Sequence, residues 1–229
     1  MNVRTKPLMF PIALLALAIF SVFGYAAGKV SRKNTVIFDI DGGNIANPFN
    51  FNWMVPGSPR HQGMHQCVWE PLFILNYETG EIESWLGESF VADQRLKTWT
   101  LKIRDGVTWA DGEAFDADDI VFTIQTLLND ETQSLSEAAN MQQWVESVER
   151  IDDLTAQFNL KSPNPRFQLD HFSVKVWGGP IILPKHIWQG KDPFTFTFYD
   201  MDKGWPFGTG AYKLVQTAEN EFVYDRRDT

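Results

Sequence analysis

The sequence predicts an α/β chain whose strands pair locally in a mixed or antiparallel manner. Three observations predict it: a strand, two turns and a helix within residues 99–128, a polar hairpin within residues 148–160, and two late strands near the carboxyl end. The chain has 229 residues, 44% of them hydrophobic and 21% charged, which is ordinary for a folded globular protein with a sizeable core.

The first residues read as an export signal. Arg4 and Lys6 form a basic start, an uncharged apolar run covers residues 8–23, and Gly24 and Ala26 are the small residues that a signal peptidase needs. Residues 1–26 are therefore expected to be a signal peptide cut after Ala26, with an uncleaved anchor as the alternative because the uncharged stretch is just long enough to span a bilayer. Removing Arg4 and Lys6 takes the formal net charge from −9 to −11. An acidic, exported chain is a poor partner for nucleic acid or anionic lipid, and a periplasmic or extracellular location follows. Cys67 is the lone cysteine, so no internal disulfide can form and the core alone must hold the fold.

Residues 35–40 form a β-rich run that breaks at Gly42 and Gly43 into a polar, proline-bearing loop reaching about residue 59. Long loops at strand ends commonly carry ligand contacts. From Trp99 the apolar residues Trp99, Leu101 and Ile103 alternate with Thr100, Lys102 and Arg104, as one buried strand face requires. Asp105 and Gly106 turn the chain, residues 107–109 read as a short return strand, and Asp111 and Gly112 make a second turn. Asp116 then stands as a helix N-cap with Asp119 in the first turn, and Ile120, Val121, Ile124, Leu127 and Leu128 supply the apolar side. Ser134 and Glu137 have capping-box spacing for a second helix ending near Trp144. Residues 148–151 and 156–160 flank Asp152 and Asp153 as a hairpin, and residues 212–215 and 221–224 are the late strands.

The block WTLKIRDGVTWADGEAFDADDIVFTIQTLL, beginning at Trp99, resembles the signature of the extracytoplasmic solute-binding family that serves oligopeptide, dipeptide, nickel and some oligosaccharide ABC importers (family 5). EPLF from Glu70 is similar to the family's early helix, and WLGESF from Trp85 to its leucine-alanine-glutamate-serine segment. SVERIDDLTAQFNLKSPNPRF is similar to its hairpin, ILPKHIW to its proline-lysine-histidine segment, and PFGTGAYKLV to its Gly-Thr-Gly-Pro-Tyr turn. Departures are small: Ile103 stands for Leu, Gly87 for Ala and Ala211 for Pro.

The resemblance implies a periplasmic binding protein of type II-like architecture. Its first lobe would be split between residues 35–52 and 172–229, residues 53–171 would be a subdomain inserted into that lobe, and the second lobe would be missing. Family members are normally more than twice as long, so Thr229 is expected to be a truncation point. The resemblance also implies capture of a peptide or oligosaccharide, closure of the two lobes around it, and delivery to membrane permease subunits. The first loop is similar to the part of the family's first lobe that faces the cleft, so Asn44, Asn47, Phe49 and Trp53 are the candidate ligand contacts, the aromatic faces being suited to stacking on sugar rings or peptide side chains.

Asp39 and Asp41 in VIFDIDGGN have the spacing of a haloacid-dehalogenase-like phosphatase, which makes an exported phosphatase the alternative function, but Gly43 and the lack of a later lysine block speak against it. His61, His65 and Cys67 suggest a soft-metal site, yet Gly63 interrupts them and no fourth ligand is evident, so no metal is assigned. Asp116, Asp118 and Asp119 are read as a helix cap rather than as catalytic carboxylates. No catalytic residue and no cofactor is implied.

Overall fold

The computed structural model describes residues 43–58, 63–174 and 179–227. The expected first strand at residues 35–40 lies outside them. Chain order among the described residues is α1 (Met64–Cys67), β1 (Phe73–Leu75), β2 (Ile82–Ser84), β3 (Gly87–Ala92), β4 (Thr98–Ile103), α2 (Ala117–Leu128) and α3 (Ala138–Trp144). There follow β5 (Val145–Asp152), β6 (Thr155–Leu160), a π-helical turn (Gln168–Phe172), β7 (Ser173–Val174), α4 (Lys185–Trp188), β8 (Tyr212–Thr217) and β9 (Phe222–Arg226).

The alternation at Trp99 builds the central strand of an antiparallel sheet in the order β3-β4-β6-β5. Trp99, Leu101 and Ile103 are buried on one face, opposite Phe158 and Ala156 of β6, and α2 covers that face with Ile120, Ile124 and Leu127. Phe90 of β3 collects four rings at centroid distances of 5.2–5.9 Å, from Trp99, Phe158, Phe167 and Phe172. The hairpin at Asp152 and Asp153 is β5-β6. A second sheet, β2-β1-β7, pairs β1 antiparallel with β2 and parallel with β7, so it is mixed, and β8-β9 form a separate ribbon.

Three local expectations differ from the structure. Residues 107–109 do not return along β4. They pair with the residues just after the second turn, through the Thr108–Ala114 bridge and Phe115 N–H donating to Val107 C=O at 3.0 Å. Gly112, at φ +96°, folds the loop back on itself and its own distal arm satisfies those backbone groups. EPLF is not helical. Helix α1 ends three residues before Glu70, and Phe73 already belongs to β1. Ser134 and Glu137 form no capping box: Glu137 sits left-handed at φ +72° without a side-chain cap, while the Ser134 hydroxyl lies 2.6 Å from that of Thr132. Asp130 has taken over this loop, accepting from Leu135 N–H at 2.7 Å and from the Thr132 N–H and hydroxyl at 3.0 and 2.6 Å. Burial pushes the Asp130 carboxyl up, but those donors outweigh it and hold it below the usual carboxylate range.

The cap of α2 forms as expected, with Asp116 accepting from Asp118 N–H at 2.8 Å and Asp119 accepting from Asp116 N–H at 3.2 Å. Asp119 does more. Only 3% exposed, it also accepts from the Trp109 indole at 2.9 Å and from Lys185 N–H at 2.7 Å. One turn on, Thr123 accepts from Leu183 N–H at 2.9 Å. Two side chains of one helix thus clamp both the β4–α2 loop and the segment entering α4.

The PFGTGAY turn is held by close backbone approach. A Cβ on Gly210 would stand 2.5 Å from the Cys67 carbonyl oxygen and 2.7 Å from that of Val68, to which the Gly210 N–H donates at 3.0 Å. Neither obstacle is a flexible side-chain end. Gly210→Ala is expected to destabilise the protein by about 1–3 kcal/mol, the usual cost of overpacking, as read from the midpoint of urea denaturation.

Burial raises the Asp119 pKa from 3.8 to about 6, and its N–H donors keep it from rising further. The folded state therefore holds this proton more tightly than the unfolded chain. The resulting stability is complete below about pH 4, declines as pH rises, and is lost above about pH 6, a step of about 3 kcal/mol at most at ~1.4 kcal/mol per pKa unit. Urea denaturation at a series of pH values should show that decline, and Asp119→Asn should remove it.

Candidate functional site

Residues 43–58 carry no ionisable side chain. The loop consists of amides, aromatics and turns, and its backbone is fastened to distant segments. Ile45 N–H donates to Glu219 C=O at 2.6 Å and Phe51 N–H to Thr197 C=O at 2.7 Å, and the Thr217 hydroxyl donates to Pro48 C=O. These bonds tie the loop to β8, to the β8–β9 turn and to the segment before β8.

The structure divides the four candidate contacts. Asn44 and Asn47 are exposed, and Asn47 takes a left-handed conformation, φ +52°, that lets its carbonyl accept from Asn50 N–H at 3.0 Å. Phe49 is 52% exposed and leans on Tyr199 at a centroid distance of 5.5 Å. Trp53 is different: only 3% of it is accessible. Its ring meets Trp69 at 4.5 Å, Phe198 at 5.5 Å and Trp188 at 5.7 Å, and its indole N–H donates to Ile181 C=O at 3.1 Å. In this conformation Trp53 is a packing residue behind the loop, because a flat apolar ring gains more from aromatic neighbours than from water.

Two further residues fix the loop: Phe51, which the sequence offers beside Phe49 and Trp53 as an aromatic ligand candidate, and Asn52, which it does not single out. Phe51 is fully buried between Tyr199 and Phe222, at 5.9 and 5.5 Å. Asn52, 1% exposed, donates from Nδ2 to Pro193 C=O at 2.7 Å and accepts from Met54 N–H at 3.1 Å. The run Phe-Asn-Phe-Asn-Trp signals alternation, with aromatics on one side and amides on the other. The chain instead turns at Trp53 and Met54, so Phe51, Asn52 and Trp53 are all buried.

Among the other candidates, Asp39, Asp41 and His61 lie outside the described residues. Burial raises the Cys67 thiol, and His65 lies edge-on to Trp69 at 6.0 Å. Among the described residues no three His, Cys, Asp or Glu side chains gather as a metal site would require. Asp118 pairs with Lys185 at 3.2 Å and with Arg150 at 3.9 Å, consistent with a capped helix start.

The family model for bacterial extracellular solute-binding proteins, family 5 Middle, matches residues 81–229. The oligopeptide-binding protein AppA of Bacillus subtilis is 24% identical over 97% of this chain and 41% of its own length. The nickel-binding periplasmic protein of Escherichia coli is 30% identical over 92% of this chain and 36% of its own. The mannohexaose-bound oligopeptide-binding protein of Thermotoga maritima superposes with a TM-score of 0.64 at 27% identity, covering 79% of this chain and 31% of that one. The chain thus spans about two fifths or less of the length of these relatives.

Replacing Trp53 and Phe49 by Ala separates support from surface. Trp53→Ala is expected to cost about 3–5 kcal/mol, whereas Phe49→Ala should cost well under 1 kcal/mol, about what an exposed position allows; chemical denaturation of both variants checks the contrast.

Proposed function

The chain belongs to the bacterial extracellular solute-binding proteins of family 5, and from that membership we propose that the full-length protein captures a peptide or an oligosaccharide outside the cytoplasm and hands it to the permease subunits of an ABC importer. Residues 1–26 direct export in this reading, and the protein works in the periplasm or at the cell surface. The observation that carries the choice of ligand class is the uncharged loop of residues 43–58 with its exposed Asn44, Asn47 and Phe49. Amides give donors and acceptors for hydroxyls or peptide groups, and an aromatic face stacks on a sugar ring or a side chain. A loop without imidazole, thiolate or carboxylate suits a nickel ion poorly.

In this reading Asn44, Asn47 and Phe49 touch the ligand and Trp53 supports them from behind. Residues 35–52 and 172–229 make up one lobe with residues 53–171 inserted; the bonds from Ile45 to Glu219 and from Phe51 to Thr197 support that division. A second lobe completes the cleft and closes on the ligand, so affinity comes from enclosure and desolvation. The relatives and the matching family model are binding proteins, and none supports a phosphatase built on Asp39 and Asp41.

A thermal-shift screen of the full-length protein with peptides, oligosaccharides and nickel tests the reading. A member of the first two classes should raise the melting temperature saturably, since a ligand at 100 times its Kd adds about 2.7 kcal/mol to apparent stability. The double variant Asn44→Ala and Phe49→Ala should keep its own melting temperature but weaken that ligand about tenfold, the loss of a stacking contact and a hydrogen bond. If every peptide and sugar left the curve unmoved, the proposal would fail.

A further inference from the structure

A cavity of about 230 Å³ lies between the C-terminal half of α2 and the segment that follows α4. Phe122, Thr126 and Asn129 line it from the helix, and Trp188, Lys191 and Phe194 from the other side. Residues 122, 126 and 129 share one helix face at spacings of four and three, set apart from the Ile120, Ile124 and Leu127 positions that pack into the core. None of the lining belongs to the loop of residues 43–58.

The size is informative. An apolar cavity of about 150 Å³ accommodates benzene, so this one has room for a ring with a short chain. Its floor is apolar: Leu183 and Trp188 are at most 2% exposed, while Phe194, 43% exposed, stands at the rim.

The polar groups narrow the occupant. The Thr126 hydroxyl already donates to Phe122 C=O at 2.8 Å. The Asp130 carboxylate is engaged by Thr132 and by Leu135 N–H. The Trp188 indole N–H has no partner, but protein atoms seal it from solvent, so it does not face an incoming molecule. That leaves the exposed Asn129 and the Lys191 ammonium. Lys191 has no carboxylate within ion-pair distance among the described residues, and its nitrogen lies 5.7 Å from the centre of the Phe196 ring. Lys191 lines this largely apolar well, and its ammonium can turn from the Phe196 ring onto the carboxylate of a molecule seated there, which favours an amphipathic anion.

We propose that this cavity is a second small-molecule site, separate from the ligand-capturing loop, which takes a small aryl carboxylate with its ring against Trp188 and Leu183 and its carboxylate on Lys191. The chain's net charge of −9 and the ionised Asp130 carboxylate in the lining work against anion approach, and an occupant of about eleven heavy atoms binds at roughly millimolar Kd. The carboxylate contact is exposed at the rim and contributes a factor of about three.

The test uses the full-length protein and two probes of the same shape, 3-phenylpropionate and the neutral 3-phenylpropanamide. Titration by ligand-observed NMR should give the acid an affinity about threefold above that of the amide. Lys191→Gln should abolish this difference and leave amide binding unchanged. Thr126→Trp, filling the cavity from a partly exposed helix position, should remove binding of both probes while the melting temperature reports that the variant is folded. Crystals soaked with the acid should show it between α2 and Phe194. The proposal is overturned if neither probe binds at several times the expected Kd, if the acid binds Lys191→Gln as it binds the parent, if a folded Thr126→Trp binds undiminished, or if the probe is found only at the loop of residues 43–58.

Discussion

The buried carboxylate of Asp119 is the constraint on which the surrounding structure depends. A carboxylate this deeply buried costs several kcal/mol unless donors surround it. Here the donors come from three parts of the chain: the Asp116 amide, the Trp109 indole and the Lys185 amide. Two lie in the β4–α2 loop and the third opens the short helix α4, so satisfying one group fixes three positions at once. The sheet beneath could form without Asp119. The way the β4–α2 loop and the entry to α4 lie across α2 could not, because it is set by where those N–H groups must point. Thr123 repeats the principle one turn later by accepting from Leu183 N–H.

Around this polar centre the packing is aromatic. One ring cluster, gathered on Phe90, fills the space between the antiparallel sheet and the π-helical turn; another, through Trp53, Trp69, Trp188, Phe198 and Phe207, fills the space beneath the first loop. Large flat side chains bury much area for little rotamer entropy. That matters in a chain whose lone cysteine cannot cross-link it. Close backbone approaches complete the arrangement, since Gly208 and Gly210 let the turn before β8 lie directly on Val68.

Legibility in the sequence followed the range of the interaction. Features with a short period were readable: the alternation at Trp99, Leu101 and Ile103, the Asp116 cap, the β5-β6 hairpin and the β8-β9 ribbon all stand where the pattern puts them. Where a distant group competes for the same backbone donors, local pattern fails. Ser134 and Glu137 have the spacing of a capping box, but Asp130 accepts from Leu135 N–H and Ser136 N–H donates to Met54 C=O, so the backbone there is held in a loop and no helix starts at Ser134. Residues 107–109 have a strand's composition, but the nearer arm after Gly112 satisfies them first. The loop shows the same limit. Phe49 and the two exposed asparagines are visible as polar and aromatic residues after a strand, whereas the roles of Phe51, Asn52 and Trp53 depend on Thr197, Pro193 and Ile181, more than a hundred positions away.

That long reach bears on how capture would work. A loop fastened to Thr197, Thr217 and Glu219 on one side and to Pro193 through Asn52 on the other is fixed at both its apolar and its polar residues. Several of its backbone groups, among them Ile45 N–H, Phe51 N–H and Pro48 C=O, are committed to the fold, and under the proposed function the outward side chains of Asn44, Asn47 and Phe49 meet the ligand. Such an edge is preorganised, and little ordering entropy is lost there on binding. Under the proposed function, adaptation to ligands of different length or shape then falls to the opposing wall of the cleft and to the motion that closes it. A rigid, uncharged edge that recognises hydroxyl or peptide groups in general would then face a wall that supplies the selectivity.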